Sequence, residues 1–168
     1  ADAFRSLSEE CHSRGMAVIL DVVYNHAFGQ SPLALLYWDG AQNRPAANNP
    51  WLNPIPKHDF NVGNDFNHES PATKYFVKRV ISWWMQTYGI DGFRFDLASG
   101  FTQRNSLGNF NEWARYDTSR INNIQEYADL MWSIDPESYV ILESFVDNSE
   151  RKELSSRGMM LWGNMSIE

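Results

Sequence analysis

Four short β-rich runs, each preceded by a segment of helical periodicity, constrain this chain more than any other feature. Residues 3–14 place Phe4, Leu7 and Cys11 on one helical face, and Gly15 stands where a C-terminal glycine ends a helix. Residues 16–23 then form a nearly continuous Val/Ile/Leu run, the pattern of a strand buried on both faces of a parallel sheet. Ser70 and Pro71 supply an N-cap and a first-turn proline for a second helix, which carries Tyr75, Phe76, Val80, Trp83 and Trp84 up to Gly89. Residues 90–97 follow as an alternating strand, with Ile90, Gly92, Arg94 and Asp96 on one face and Asp91, Phe93, Phe95 and Leu97 on the other. A helix over 117–134, a strand over 139–143, a polar helix over 149–156 and a last strand over 158–162 complete the series. Strands alternating with helices predict an α/β fold with a parallel sheet and right-handed crossovers.

One stretch breaks the rhythm. Between 27 and 70 lie Gly29, Pro32, Gly40, Pro45, Pro50, Pro54, Pro56 and Gly63, which forbid long regular elements. A loop of this length inside a compact domain is usually functional, and Tyr37, Trp38 and Trp51 argue against disorder. These rings suit either sugar stacking or packing.

Composition excludes several partners. With 43% hydrophobic and 21% charged residues among 168, the chain has apolar material for a sizeable core. A net charge of −7 repels phosphate backbones and anionic lipid, so no nucleic-acid partner is expected. The apolar run at 16–20 falls far short of the roughly 20 residues a bilayer span needs, and no signal-type segment opens the sequence, so membrane insertion is not expected either. The single cysteine, Cys11, permits no intrachain disulfide.

In parallel α/β folds ligands bind at the carboxyl ends of the strands, and three of the predicted strands end in polar groups. The first runs into Asp21, Tyr24, Asn25 and His26, the second ends in Arg94 and Asp96, and the third ends in Glu143. Asp21 also suits a turn, and a solitary His26 also suits a structural role. Arg94 and Asp96, two apart on a strand, project to the same side, where the guanidinium favours an ionised Asp96 fit to act as a nucleophile; a buried structural ion pair is the alternative. Glu143 closes the apolar run 139–142, where desolvation would raise its pKa toward that of a general acid. One carboxyl kept charged and one kept protonated is the arrangement glycoside cleavage requires.

At these residues the sequence resembles the α-amylase family of glycoside hydrolases, family 13, whose catalytic domain is a (β/α)8 TIM barrel. DVVYNH at 21–26 resembles the family's first signature and GFRFD at 92–96 its second, while Glu143 within VILES resembles the lone glutamate of the third. HDFNVGNDFNHES at 58–70 is similar to a further signature, and LWGNM at 161–165 to a sixth strand. The resemblance spans essentially the whole chain and implies a partial barrel, about strands three to six, with 27–70 as a B-domain-like insertion. It implies a retaining enzyme acting on α-1,4-glucans such as starch, as oligosaccharide or polysaccharide, in a secreted or periplasmic setting. Asp96 would be the nucleophile and Glu143 the acid and base. Arg94 would orient Asp96, His26 would hydrogen-bond the sugar, Tyr24 would belong to the substrate-binding set, and Asp21 would be a structural member of the first signature counted with that set. Retention places the two carboxyls about 5 to 5.5 Å apart, whereas about 9 Å would favour inversion. A structural Ca²⁺ held by Asn25 with Asp59 or Asp65 is a further implication.

Two departures qualify the match. Leu97, Ala98, Ser99 and Gly100 follow the nucleophile where the second signature often continues to a Lys-His pair, and no His-Asp signature of the seventh strand appears, so the third catalytic carboxylate is missing. A barrel of this kind typically needs about 250 residues. The expectation is therefore a catalytically incompetent fragment, with the rest of the barrel supplied by a longer chain. A non-catalytic amylase-like partner domain, a transglycosylating relative and a phosphoryl-transfer enzyme stay as alternatives. Retention of Asp96, Glu143 and Arg94 argues against the first, and the lack of a GxxxxGK loop against the last.

Overall fold

A computed structural model of the chain describes residues 2–60 and 63–163. Helix α1 (Asp2–Ser13) leads into strand β1 (Ile19–Val23). The insertion then supplies β2 (His26–Ala27), α2 (Pro32–Leu35), β3 (Trp38–Asp39), β4 (Arg44–Pro45) and β5 (Asn64–Asp65). Helix α3 (Pro71–Tyr88), β6 (Gly92–Asp96), a 3₁₀ turn at Ala98–Gly100 and α4 (Phe110–Ala114) follow. Helix α5 (Thr118–Ile134), β7 (Tyr139–Glu143), α6 (Asn148–Ser156) and β8 (Met160–Trp162) end the series.

The helix boundaries have local causes. Ser70 Oγ accepts from Ala72 N at 3.2 Å, Pro71 opens the first turn, and Gly89 at φ 61° closes α3 with its N–H on Met85 O. Asp117 and Asp147 cap α5 and α6, each accepting two backbone N–H groups through Oδ1. The capping asparagine of α4, Asn109, lies in the connection that the sequence pattern leaves without a helix.

β1, β6, β7 and β8 form one parallel sheet in that order. Its helix-facing side is sealed: Phe93, Phe95, Val140 and Leu142 pack against Val77, Ile81 and Met85 of α3, Ile121, Ile124 and Met131 of α5, and Leu154 of α6. The other side is open among the described residues. Ile19, Val23, Tyr139, Met160 and Trp162 are all exposed there, so the expectation that the first strand is buried on both faces is corrected. Helices cover only one face of these strands, and the second face is the one that points inward when such a sheet curls into a barrel.

The insertion is folded rather than featureless. β2 pairs antiparallel with β5, β3 with β4, and Leu52 bridges to Phe66. Ala27, Ala34, Leu52 and Phe66 form a small core with Trp38 and Trp51 packed against it, so these two rings act as packing anchors. Asn49 Oδ1 accepts from the backbone N–H groups of both Trp51 and Leu52 at 2.9 Å, which replaces a regular ladder there. Of the LWGNM segment, 164 and 165 lie outside the described residues, as do 61 and 62 of the insertion signature. No helix among the described residues is long and apolar enough to cross a membrane.

Candidate active site

Strand register assembles the charged groups. Asp21 is level with Arg94 across β1 and β6, and Phe95 is level with Leu142 across β6 and β7, which brings Asp96 and Glu143 to neighbouring strand ends. Side-chain alternation then puts Asp21, Arg94, Asp96 and Glu143 together on the open face. Arg94 is their hub: Nη1 donates to Asp21 Oδ1 at 2.9 Å and Asp96 Oδ1 at 3.0 Å, while Nη2 lies 3.0 Å from Glu143 Oε1. One guanidinium thus serves three carboxylates. Burial works against its charge, but the hydrogen bond to Asp21, the charge of Glu143 and the hydrogen bond to Asp96 outweigh that and raise its pKa above the ordinary arginine value.

Glu143 differs from expectation. Its carboxylate does not sit in a purely apolar setting, because Oε1 faces Arg94 and Oε2 accepts the Leu97 N–H at 2.9 Å. Leu97 donates from a left-handed conformation, φ 45°, which is costly for a residue with a Cβ. Nothing in the sequence marks this turn. Trp162, level with Glu143 across β7 and β8, places its ring 5.7 Å from the Arg94 guanidinium carbon and is a further site residue that the alternation of the last strand could have revealed.

His26 stands beside this cluster, half-buried, with Nδ1 3.0 Å from Asn25 Nδ2. Because the amide nitrogen donates, the neutral ring carries its proton on Nε2. Burial lowers the His26 pKa, against the raising influence of Asp96. Tyr24 is a correction. It shares the parity of Leu20 and Val22, so its ring enters the helix-side core between Phe76 and Phe95, only 6% exposed, and burial raises its pKa strongly. A ring so placed does not reach a substrate on the open face.

Of the calcium ligands expected from the sequence, Asn25 and Asp65 both lie beside the buried His58, while Asp59 stands apart. Asp59 is exposed and its Oδ2 accepts from Gly108 N at 2.7 Å. Asp65 is fully buried, with Oδ2 accepting from Asn53 Nδ2 at 2.7 Å and Lys57 N at 3.0 Å and Oδ1 facing His58 Nε2 at 3.4 Å. Calcium takes about six to eight oxygen ligands. Among the described residues no group of three or more His, Cys, Asp or Glu is placed to hold a metal ion.

The loops behind the site are tied together. Fully buried Arg120 pairs with Glu150 at 2.6 Å and donates to the carbonyls of Ser99, Trp113 and Arg115. Ser99 Oγ in turn accepts from Phe145 N at 2.8 Å, so the connection after Asp96 is fastened to the one after Glu143. Sequence periodicity gives no hint of this link between distant segments.

A parallel sheet with helices on one face and a carboxylate cluster at its carboxyl end is the arrangement of a partial (β/α)8 barrel. Comparison with known proteins specifies the kind. Isoamylase SU1 from the chloroplast of Zea mays is 36% identical over 109 residues, covering 62% of this chain and 13% of that protein. The β/α-amylase of Paenibacillus polymyxa is 27% identical over 180 residues, covering 93% of this chain and 14% of that protein. Among solved structures, Eubacterium rectale Amy13B superposes with a TM-score of 0.72 at 21% identity, covering 96% of this chain and 34% of that one. A pullulanase from Anoxybacillus sp. LM18-11, solved with maltotetraose, gives 0.56 at 26% identity, covering 79% and 16%. No family model matches the chain. The relatives include isoamylases, branching enzymes, an amylase and a pullulanase. The chain spans 13–14% of the length of these two curated relatives.

Proposed function

We propose that this chain carries the nucleophile and the acid/base of a retaining α-glucan hydrolase, with 27–70 acting as its B-domain-like insertion. The observation that carries the reading is the single Arg94 guanidinium in contact with both Asp96 and Glu143. Carboxyls sharing one guanidinium favour the shorter separation of a retaining pair over a gap that admits a water. Asp96 attacks the anomeric carbon while the glycosidic C–O bond breaks and Glu143 gives its proton to the departing oxygen. Water then loses a proton to Glu143 and its oxygen displaces Asp96. Arg94 fixes the direction of the nucleophile, and His26 presents its Nε2–H to a sugar hydroxyl. Isoamylase and amylase relatives and a pullulanase neighbour solved with maltotetraose support an α-glucan substrate. Residues of a longer chain would supply the third carboxylate, and the segment alone is expected to be inactive.

The test uses the full chain on a soluble α-glucan, following reducing ends and the anomeric form of the first product by NMR. We expect the α-anomer first and a loss of more than about 10³-fold in Asp96→Asn. A β-anomer as first product sinks retention, and undiminished activity in Asp96→Asn removes that residue from the nucleophile role.

A further inference from the structure

The residues that depart from the second signature, Leu97 to Gly100, have a different use. Ala98, Ser99 and Gly100 form a buried 3₁₀ turn directly behind Asp96 and Leu97, out of reach of a sugar. What the turn touches is the framework of the site itself. The Leu97 N–H donates to Glu143 Oε2 at 2.9 Å, and Ser99 Oγ accepts the N–H of Phe145, two residues past Glu143, at 2.8 Å. These hydrogen bonds run in opposite directions between the ends of β6 and β7, so they act as a clasp that neither strand end can leave without breaking one of them. Arg120 braces the clasp from behind, its Nη1 donating to Ser99 O at 3.0 Å. On the other side Gly100 lies against Asn25, where an added Cβ would fall 1.7 Å from Asn25 Oδ1, and Nδ2 of the same amide holds His26 Nδ1 at 3.0 Å.

Leu97 is the strained member. Its φ of 45° and ψ of 44° are left-handed, a conformation disfavoured for a residue with a Cβ and kept only where the surroundings enforce it. That reversal turns the chain out of β6, so that Ser99 comes back to Phe145 while the Leu97 N–H stays on Glu143. Glu143 is thereby gripped at both oxygens, with Oε1 facing the Arg94 guanidinium that Asp21 and Asp96 share and Oε2 on Leu97. We propose that the turn at 97–100 is a positioning element, in which Leu97 and Ser99 hold the acid/base carboxylate of Glu143 in register with the nucleophile Asp96 one residue before them. The inference rests on the reaction proposed above and adds to it the residues that align its two carboxylates. An N–H donated to a carboxylate favours the ionised form, so loosening the clasp moves proton uptake by Glu143 to higher pH.

The test is the pH dependence of hydrolysis of a soluble α-glucan by the full chain carrying Ser99→Ala or Leu97→Ile. The first removes the acceptor of the Phe145 N–H, and the second sets a β-branched residue where φ is positive. We expect each to lower kcat by about 10-fold or more with KM unchanged within about 2-fold, and to move the alkaline limb of the kcat profile up by roughly half a pH unit or more. Ser99→Thr, which keeps the hydroxyl, should restore most of kcat and return the limb. A turn that serves the fold alone would lower the unfolding midpoint and leave the limb in place, and that outcome overturns the proposal. So does a rise in KM at constant kcat, which would make the turn a substrate contact. Asp96→Asn in the same assay reports on the reaction itself, while a ¹³C NMR titration of the Glu143 carboxyl reads the same displacement without turnover, so failure of the turn and failure of the reaction are told apart. Should Ser99→Ala fail to fold, Leu97→Ile and the NMR titration decide the matter.

Discussion

The two faces of the same four strands obey different rules. On the helix side Phe93, Phe95, Val140 and Leu142 are all but completely buried within one apolar core. On the open side one guanidinium and three carboxylates stand among half-exposed apolar groups. Because strand side chains alternate, each residue of β6 belongs to one regime and its neighbour to the other. Stability and chemistry are thereby separated by a single step along the chain, which allows the first to be fixed while the second varies.

The sharpest way to break this comparison is to change adjacent residues. Asp96→Asn should abolish glucan hydrolysis in the full chain, as set out above, while leaving the unfolding free energy within about 1 kcal/mol. Phe95→Ala, one position earlier, should cost about 3 to 5 kcal/mol of stability in urea unfolding through the lost burial and the cavity left behind. If Asp96→Asn destabilised as much as Phe95→Ala, Asp96 would be a structural ion-pair partner and the separation of faces would fail.

That separation was legible in the sequence because period two is visible in Arg94-Phe95-Asp96. The same rule, applied to residues 20, 22 and 24, places Tyr24 in the core, and the motif resemblance masked this by grouping it with its neighbours in DVVYNH. Other features have no local signature. The Leu52 to Phe66 bridge, the Arg120–Glu150 pair and the left-handed Leu97 arise from segments that meet only after the chain has folded. Composition could show that 27–70 lacks long elements, but not that Asn49 and a four-residue apolar core would organise it.

The buried pair offers the next test. Glu150→Gln leaves Arg120 with its carbonyl acceptors but without its directly paired carboxylate, and removal of one partner of a buried pair costs about 3 to 5 kcal/mol. We expect the loss in chemical denaturation, together with earlier proteolytic cleavage in the connection between the 3₁₀ turn and α5, which the pair pins through Ser99, Trp113 and Arg115. A stable variant with that connection still protected would show that the ties between the loops stand without the ion pair.

His68, unremarked in the sequence beyond its place in the insertion signature, gives a pH signature to the sealed side. It is fully buried, with Nε2 on Tyr24 O at 2.7 Å and Nδ1 on Tyr127 Oη at 2.9 Å, and burial lowers its pKa to about 4. The unfolded chain, near 6.5, therefore binds the proton first. Stability is full above about pH 6.5, falls as pH drops toward 4, and levels off below that, by on the order of 3 kcal/mol. His26, whose pKa is also lowered, adds in the same direction. Urea midpoints measured from pH 7 to 4.5 should decline and flatten in His68→Gln; an unchanged slope would place the titrating group elsewhere.

The smallest expected effect tests the open face itself. Val22 and Val23 are consecutive residues of β1, the first half-buried toward the helices and the second 48% exposed. Replacing valine by threonine inserts a hydroxyl at nearly constant volume, so the cost reports how completely the site is removed from water. Val22→Thr should lose about 1 to 2 kcal/mol, whereas Val23→Thr should stay within about 0.5 kcal/mol. In a longer chain, further strands would cover this face, and the Val23 effect should then grow toward that of Val22. The ratio of the two costs therefore measures how far the sheet's second face is closed, independently of any activity.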